Sequence, residues 1–409
     1  MIHPMKHRLP ADTTILFGAF DRHNFGDLLF PHIAAALLEN DRLVFAGLAE
    51  RDLRPYGGHR VQALAQLAEA WGDRAANFIH AGGEILTCDA WQAAVMLLPP
   101  ERAQDAIARL DSHPRERLEW AQEQLGIPDL APYTLSRQRF PRLARVIYNG
   151  VGGVDLAQRD PLLRREVTAK LKAADAVAVR DELTLAQLSA AGIAASLVPD
   201  PAVMVAELFG ARIRQQARQG ATAAMRNAFP QGYIAVQFSA DFGDDATLTG
   251  IAAQLDRVAV SSGCGVVFFR AGAAPWHDDA ACYQRVAERM QSAAKIFSSL
   301  DLWDICALIA HSSAYCGSSL HGRIVAMAFA LPRVNLLHPD QEGKASKQAA
   351  YAAAWEMPGM PATVAVRDIA RGIRQALTAS PEACRHAARQ LAGQYRRQFN
   401  EFILAASAG

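Results

Sequence analysis

The segment Cys316-Gly-Ser-Ser-Leu-His-Gly-Arg323 holds the densest set of residues able to do chemistry in this chain. It lies between an apolar strand pattern and a strongly helical run, Ile324–Leu331. Its two glycines share the spacing of a nucleotide-binding P-loop. Arg323 and Ile324, however, stand where that loop needs Lys and Ser or Thr, which disfavours a nucleoside triphosphatase. What remains is a cradle for an anion: Ser318 and Ser319 offer hydroxyls, Gly322 offers a backbone amide at a helix start, and Arg323 a cation. His321 adds an imidazole that can pass protons. The competing reading is a structural histidine, the usual fate of a lone His.

Further candidates also follow predicted strands. Gly18-Ala-Phe-Asp-Arg-His-Asn-Phe-Gly26-Asp27 joins a strand to a helix. Asn24 and Gly26 suit unusual or closely approached backbone, and Asp27 suits an N-cap. The segment reads as an anion site or simply as a well-capped turn. In His80-Ala-Gly-Gly-Glu84, Gly82 and Gly83 permit close approach to the backbone. Glu84 reads as a base, a hydroxyl-binding group or a helix-start carboxylate. Asn149-Gly-Val-Gly-Gly153 lacks the last glycine of a dinucleotide fingerprint. Arg180 ends a strand and is placed to grip phosphate or carboxylate, unless Asp181 or Glu182 pairs it locally. Arg270 ends a strand in the second half, with His277 just beyond, and Lys344 and Lys347 occupy a polar loop after the strand Arg333–Leu336. Val198-Pro-Asp-Pro201 reads as structural.

These residues need a scaffold that brings strand ends together. Short apolar runs alternate with helical patterns, the signature of βαβ units and a parallel sheet. The first series predicts strands at 14–19, 42–46, 76–80, 144–149, 176–180 and 196–198, with a helix-rich insertion between Trp91 and Leu143. Residues 205–230 read as a linker or bridging helix. A second series follows at 233–238, 265–270, 295–297, 314–316 and 333–336. The expected fold is therefore α/β: two Rossmann-like domains facing a cleft, with ligands beyond the carboxyl ends of the strands. The predicted divisions are 1–205, 206–367 with the donor site, and a helical tail over 368–409. That tail carries a stripe of Leu391, Tyr395, Phe399 and Phe402. Its arginines 385, 389, 396 and 397 would either touch an anionic membrane or stay in water while the stripe packs on the first domain.

Composition narrows the partners. The 409 residues carry 42 Lys and Arg against 41 Asp and Glu, a net charge of +1, which argues against nucleic acid as partner. Neutrality excludes a diffuse basic face but leaves room for a small cation cluster. The residues from Met1 to Pro10 are polar, and the apolar run Ile15–Phe20 is too short for a signal peptide. Six scattered cysteines, with no closely spaced pair, read as buried thiols in a reducing cytoplasm.

One ordered set remains: Asn24-Phe-Gly-Asp27, Gly82-Gly-Glu84, Val179-Arg-Asp-Glu182, Asp200-Pro201, Ser318-Ser-Leu-His-Gly322, and Lys347 four residues before Tyr351. Over roughly residues 14–360 this set resembles the polysaccharide pyruvyl transferase family. The Ser-Ser-Leu-His-Gly-Arg form is similar to the exopolysaccharide ketal-pyruvate transferases, the branch that includes the xanthan enzyme. Many members carry an Arg two residues before the histidine, where this chain has Ser319, and on this reading Arg323 supplies the missing cation. The resemblance implies a fold like that of GT-B glycosyltransferases, phosphoenolpyruvate as donor, and a sugar of a lipid-linked or nucleotide-linked glycan as acceptor. It implies His321 as general acid/base, with Ser318, Ser319, Gly322, Arg323, Arg270 and Lys347 holding the donor. Asn24, Gly26, Asp27, Gly82, Gly83, Glu84 and Arg180 would lie on the acceptor side. The chemistry calls for no cofactor or metal, and the expected location is cytoplasmic, either free there or at the inner face of the cytoplasmic membrane. The alternatives are a GT-B glycosyltransferase with a nucleotide-sugar donor and a non-catalytic subunit of polysaccharide assembly.

Overall fold

A computed structural model describes residue 9 and residues 11–38 and 42–405. The sequence N-terminal to Pro10, apart from Leu9, therefore lies outside the described residues. The chain divides into two units. The first comprises the segment ending at His23, Asp27–Pro201 and the segment starting at Gly393; the second comprises Asn24–Gly26 and Ala202–Ala392.

The first unit is built on an eight-stranded sheet. Its strands are β1 Thr13–Phe17, β2 Arg42–Gly47, β3 Arg51–Asp52, β4 Arg60–Ala63, β5 Ala76–His80, β6 Leu143–Val151, β7 Ala176–Val179 and β8 Ser196–Leu197. Their order is β3-β4-β2-β1-β5-β6-β7-β8, and every pairing is parallel except that of β3 with β4. Register places Leu16 beside Phe45 on one side and Ile79 on the other. All five residues of β5 are buried, as expected of a strand covered by helices on both faces.

The second unit has a six-stranded sheet: β9 Tyr233–Gln237, β10 Gly265–Phe269, β11 Ala294–Phe297, β12 Ala314–Gly317, β13 Arg333–Leu337 and β14 Thr363–Ala365. All pairs are parallel, in the order β11-β10-β9-β12-β13-β14. This is the dinucleotide-fold order, with the strand order reversing between the parallel neighbours β9 and β12. Beyond the carboxyl ends of these two strands lie Phe238–Ser239 and Ser318–His321.

The predicted strands are all present, with ends shifted by a residue or two. β3, β4 and β14 were not anticipated: β3 is wholly exposed, β4 buries only alternate residues, and β14 has three half-buried ones. Between Trp91 and Leu143 the insertion forms helices Ala90–Met96, Pro100–Leu110 and Pro114–Leu125. Residues 205–230 are no linker; they form helices Val205–Gln216 and Gly220–Ala228, which pack on the helix Leu302–Ala310 within the second unit. Nor is the tail a separate element. Ile369–Leu377 packs on β13 in the second unit, whereas the last helix, Pro381–Ala405, changes unit at Gly393. Leu391, Tyr395 and Phe399 are buried, and Ile403 takes the buried place expected of Phe402. The Tyr395 hydroxyl donates to Asn149 Oδ1 at 3.1 Å. Arg385, Arg389 and Arg397 are exposed and Arg396 is half-buried. All six cysteines are buried and free of disulfides. No helix among the described residues is long and apolar enough to cross a membrane.

Candidate active site

In the second unit the loop after β12 sets the geometry. Ser319 caps the helix Leu320–Ala328, its Oγ accepting from the Gly322 amide at 3.2 Å. His321 thus sits in the first helical turn, at the positive end of the helix dipole, and is 8% exposed. The Ser318 hydroxyl accepts from the Ser239 amide at 3.0 Å, and the Ser318 carbonyl accepts from Gln348 Nε2 at 2.6 Å. Lys347, the neighbour of Gln348, is exposed at the start of the helix Lys347–Trp355.

The segment Asn24–Gly26 belongs to this same unit. Asn24 pairs with Gly272 as an isolated bridge, and the Phe25 amide donates to the Ala271 carbonyl at 2.8 Å. Asn24, not Asp27, caps the helix Phe25–Leu37, its Oδ1 accepting from the Gly26 amide at 3.1 Å. Gly26 faces the histidine so closely that a Cβ there would lie 2.0 Å from His321 Nδ1. Only a glycine leaves room for the ring.

Behind the loop stands a relay that sequence reasoning missed. Gln237 Oε1 accepts from the Ser319 amide at 2.8 Å, and Gln237 Nε2 donates to Asp278 Oδ1 at 2.7 Å. Asp278 Oδ2 accepts from the Ala271 and Gly272 amides. Burial pushes the Asp278 carboxyl up to about 7, against the pull of those hydrogen bonds. Tyr315 donates to the Ser319 carbonyl at 2.9 Å. A Gln at a strand end and an Asp well past the end of another carry no local signal, since only sheet order makes them neighbours.

The two arginines proposed as ligands divide. Arg270 is half-exposed at the end of β10, and among the described residues no carboxylate or carbonyl engages its guanidinium. Arg323 is fully buried and contradicts its assignment to the donor. Its Nε and Nη2 donate to Glu356, Nη1 to Asn335 Oδ1 and the Ala362 carbonyl, and Nη2 also to the Pro361 carbonyl. Those five contacts use every donor the side chain has. Glu356 also binds buried Arg333 through both oxygens. Arg323 therefore does not replace the cation missing at Ser319.

In the first unit Arg180 is likewise taken. It is 2% exposed, with Nη2 on Glu84 at 2.6 Å and Nη1 on Asp200 at 2.8 Å. Burial opposes its charge, but the two carboxylates more than offset this and raise its proton affinity. Neither partner is local, because Asp181 instead caps the next helix, accepting from the Thr184 amide at 2.7 Å. Glu84 also accepts from the Val154 amide at 3.0 Å, which makes it a structural anchor rather than a poised base. Gly82 and Gly83 have φ of 137° and 96°, values that favour glycine, and a Cβ on Gly83 would lie 3.4 Å from Asp27 Oδ1. Asp27 lies 3.9 Å from Arg22. The first unit also holds an unforeseen polar cluster: buried Asp21 accepts from the Tyr133 hydroxyl at 2.8 Å, and that hydroxyl accepts from Arg22 at 2.6 Å. Burial raises the Asp21 carboxyl.

The second unit therefore holds Asn24, Gly26, Ser318, Ser319, His321 and Gly322 in one connected loop system, with Arg270 following β10 and Lys347 beside Gln348, and among the described residues no carboxylate pairs with Arg270. Residues 126–339, more than half of the chain, match the polysaccharide pyruvyl transferase family. The chain belongs to that family. As a polysaccharide pyruvyl transferase it is an enzyme, and its fold is of the GT-B type. Solved structures with similar folds include the UDP-GlcNAc 2-epimerase of Neisseria meningitidis bound to UDP-GlcNAc, at 12% identity and TM-score 0.55, covering 96% of this chain and 99% of that one. The UDP-N-acetylglucosamine 2-epimerase of Rickettsia bellii is 10% identical with TM-score 0.53, covering 96% and 95%. At such identities the likeness concerns the fold alone. No curated protein sequence matches the chain significantly.

Proposed function

We propose that this pyruvyl transferase moves the enolpyruvyl group of phosphoenolpyruvate onto a sugar of a bacterial exopolysaccharide repeat unit, closing a cyclic ketal. The observation that carries this reading is His321, held in the first turn of a capped helix against Gly26, in a unit whose Arg270 has no carboxylate partner among the described residues. The donor's methylene carbon accepts a proton from His321, leaving a cationic carbon beside the carboxylate. A sugar hydroxyl adds there and passes its proton back to His321, which restores the acid. A second hydroxyl of the same sugar then displaces phosphate, which leaves with that hydroxyl's proton, and the ring closes. Atoms balance as one diol plus one phosphoenolpyruvate giving one ketal plus one phosphate. Arg270 and Lys347, with the Ser318 loop, hold the carboxylate and phosphate as the charge shifts. The residues need to supply no oxidant and no metal for this sequence.

The test is phosphate release from phosphoenolpyruvate in the presence of the glycan, with mass spectrometry of the product. A gain of one pyruvate less one water supports the reading. Phosphate release without that gain, or product formation unchanged in His321→Ala, refutes it.

A further inference from the structure

One carboxylate stands behind both supports of His321. Through Oδ2, Asp278 accepts from the Ala271 and Gly272 amides. Those two residues carry the segment that faces the ring: the Ala271 carbonyl accepts from the Phe25 amide at 2.8 Å and Gly272 bridges Asn24, which sets Gly26 against His321 Nδ1. Through Oδ1, Asp278 accepts from Gln237 Nε2 at 2.7 Å, and Gln237 Oε1 accepts from the Ser319 amide at 2.8 Å. Ser319 caps the helix whose first turn bears His321. The end of β9, the loop after β10 and the loop after β12 are thus tied to one side chain, all within the second unit.

The polarity of this chain of bonds is fixed. A backbone amide only donates and a carboxylate only accepts, so Gln237, which is 2% exposed, has a single orientation that satisfies both neighbours. A neutral amide in place of the Asp278 carboxylate breaks the pattern whichever way Gln237 turns. With its oxygen on the Ala271 and Gly272 amides, its NH2 group meets Gln237 Nε2. Turning Gln237 over only moves the clash of donors onto the Ser319 amide. A buried donor left without an acceptor is costly, and the relief open to it is a shift of the loop that holds the cap.

We infer that Asp278 is a positioning residue for pyruvyl transfer: by accepting at both oxygens it orients Gln237 and anchors the Gly26 segment, and so holds the imidazole of His321 in place. This rests on the proposed acid/base role of His321 and adds to it the residue that aims the ring. The test is a polarity swap in the full chain. Asp278→Asn should lower kcat for phosphate release about 10- to 100-fold while the KM for phosphoenolpyruvate moves less than about threefold. Adding Gln237→Glu supplies two acceptors, one for the Ser319 amide and one for the new NH2 group, and should return kcat to within about threefold of wild type. In Asp278→Ala, which offers no donor, Gln237→Glu should restore nothing. Histidine ring-proton NMR gives a readout independent of turnover, with the His321 resonance assigned by its loss in His321→Ala. That resonance should shift or broaden in Asp278→Asn and return in the double variant. Wild-type kcat in Asp278→Asn, no recovery in the double variant, or equal recovery in the Asp278→Ala background would each overturn the assignment. If Asp278→Asn does not fold, the double variant decides: folded with the wild-type resonance supports the inference, and unfolded overturns it. Absence of phosphate release from wild type, with the resonance moved and restored as described, would remove the donor chemistry and leave Asp278 as the residue that sets His321.

Discussion

Replacing Gly26 with alanine tests the histidine without touching it. The added methyl would sit 2.0 Å from His321 Nδ1, 2.1 Å from Cγ and 2.4 Å from Cβ. Non-bonded heavy atoms settle about 3.5 Å apart, so the ring must retreat by about 1.5 Å. A reacting group displaced by about 1 Å loses on the order of 100-fold in rate. The expected result for Gly26→Ala is therefore a turnover number down by about 100-fold, approaching the loss of about 10²- to 10⁴-fold expected for His321→Ala. Stability should fall by only about 1–3 kcal/mol, the usual effect of overpacking, measured by urea denaturation. Initial rates of phosphate release for the two single variants and the double variant form a cycle, and in the His321→Ala background the glycine change should cost almost nothing more. Wild-type turnover in Gly26→Ala, or fully additive losses in the cycle, would refute both the placement and the role of the ring.

Other perturbations separate anchors from ligands. Arg270→Gln should leave the urea midpoint unchanged and raise the KM for phosphoenolpyruvate about tenfold or more, as loss of one charge-assisted contact predicts. Glu356→Ala strands two buried guanidinium groups and should lose about 3–5 kcal/mol in denaturant, before any kinetic effect is considered. The pH dependence of stability should carry the mark of His80, fully buried between the Leu135 amide and the Ile147 carbonyl. Burial pushes its imidazole down to about 3, so the fold requires it neutral. Its contribution is complete above the unfolded value near 6.5 and declines as pH falls toward 3. Between pH 8 and pH 5 that amounts to about 2 kcal/mol, to be read by denaturation at both pH values, and the loss should shrink in His80→Gln.

The strand pattern and the histidine loop were legible because both are local. A buried parallel strand shows as a continuous apolar run, as in β9 and β10, and a capped helix after a strand shows in Ser319 and the glycines. Edge strands such as β3 left no trace, since an exposed Arg-Asp pair has neither run nor alternation. The fate of each arginine was also hidden. Arg180, Arg270 and Arg323 all follow strands, and what distinguishes them is whether a carboxylate lies opposite. Glu84, Asp200 and Glu356 are 96, 20 and 33 residues away from the arginines they bind, so tertiary structure alone brings them together. Asp278 and Gln237, 41 residues apart, were missed for the same reason.

The six buried thiols make the chain its own conformational reporter. Cys88 lies in the first unit, and Cys264, Cys282, Cys306, Cys316 and Cys384 lie in the second. A thiol reagent can therefore label each unit only when that unit opens, and intact-mass spectra will distinguish one added label from five. Cys316 immediately precedes the Gly317–His321 loop and has no exposed surface. Its alkylation rate measures how often the histidine's platform breathes, and a donor that tightens that loop should slow it.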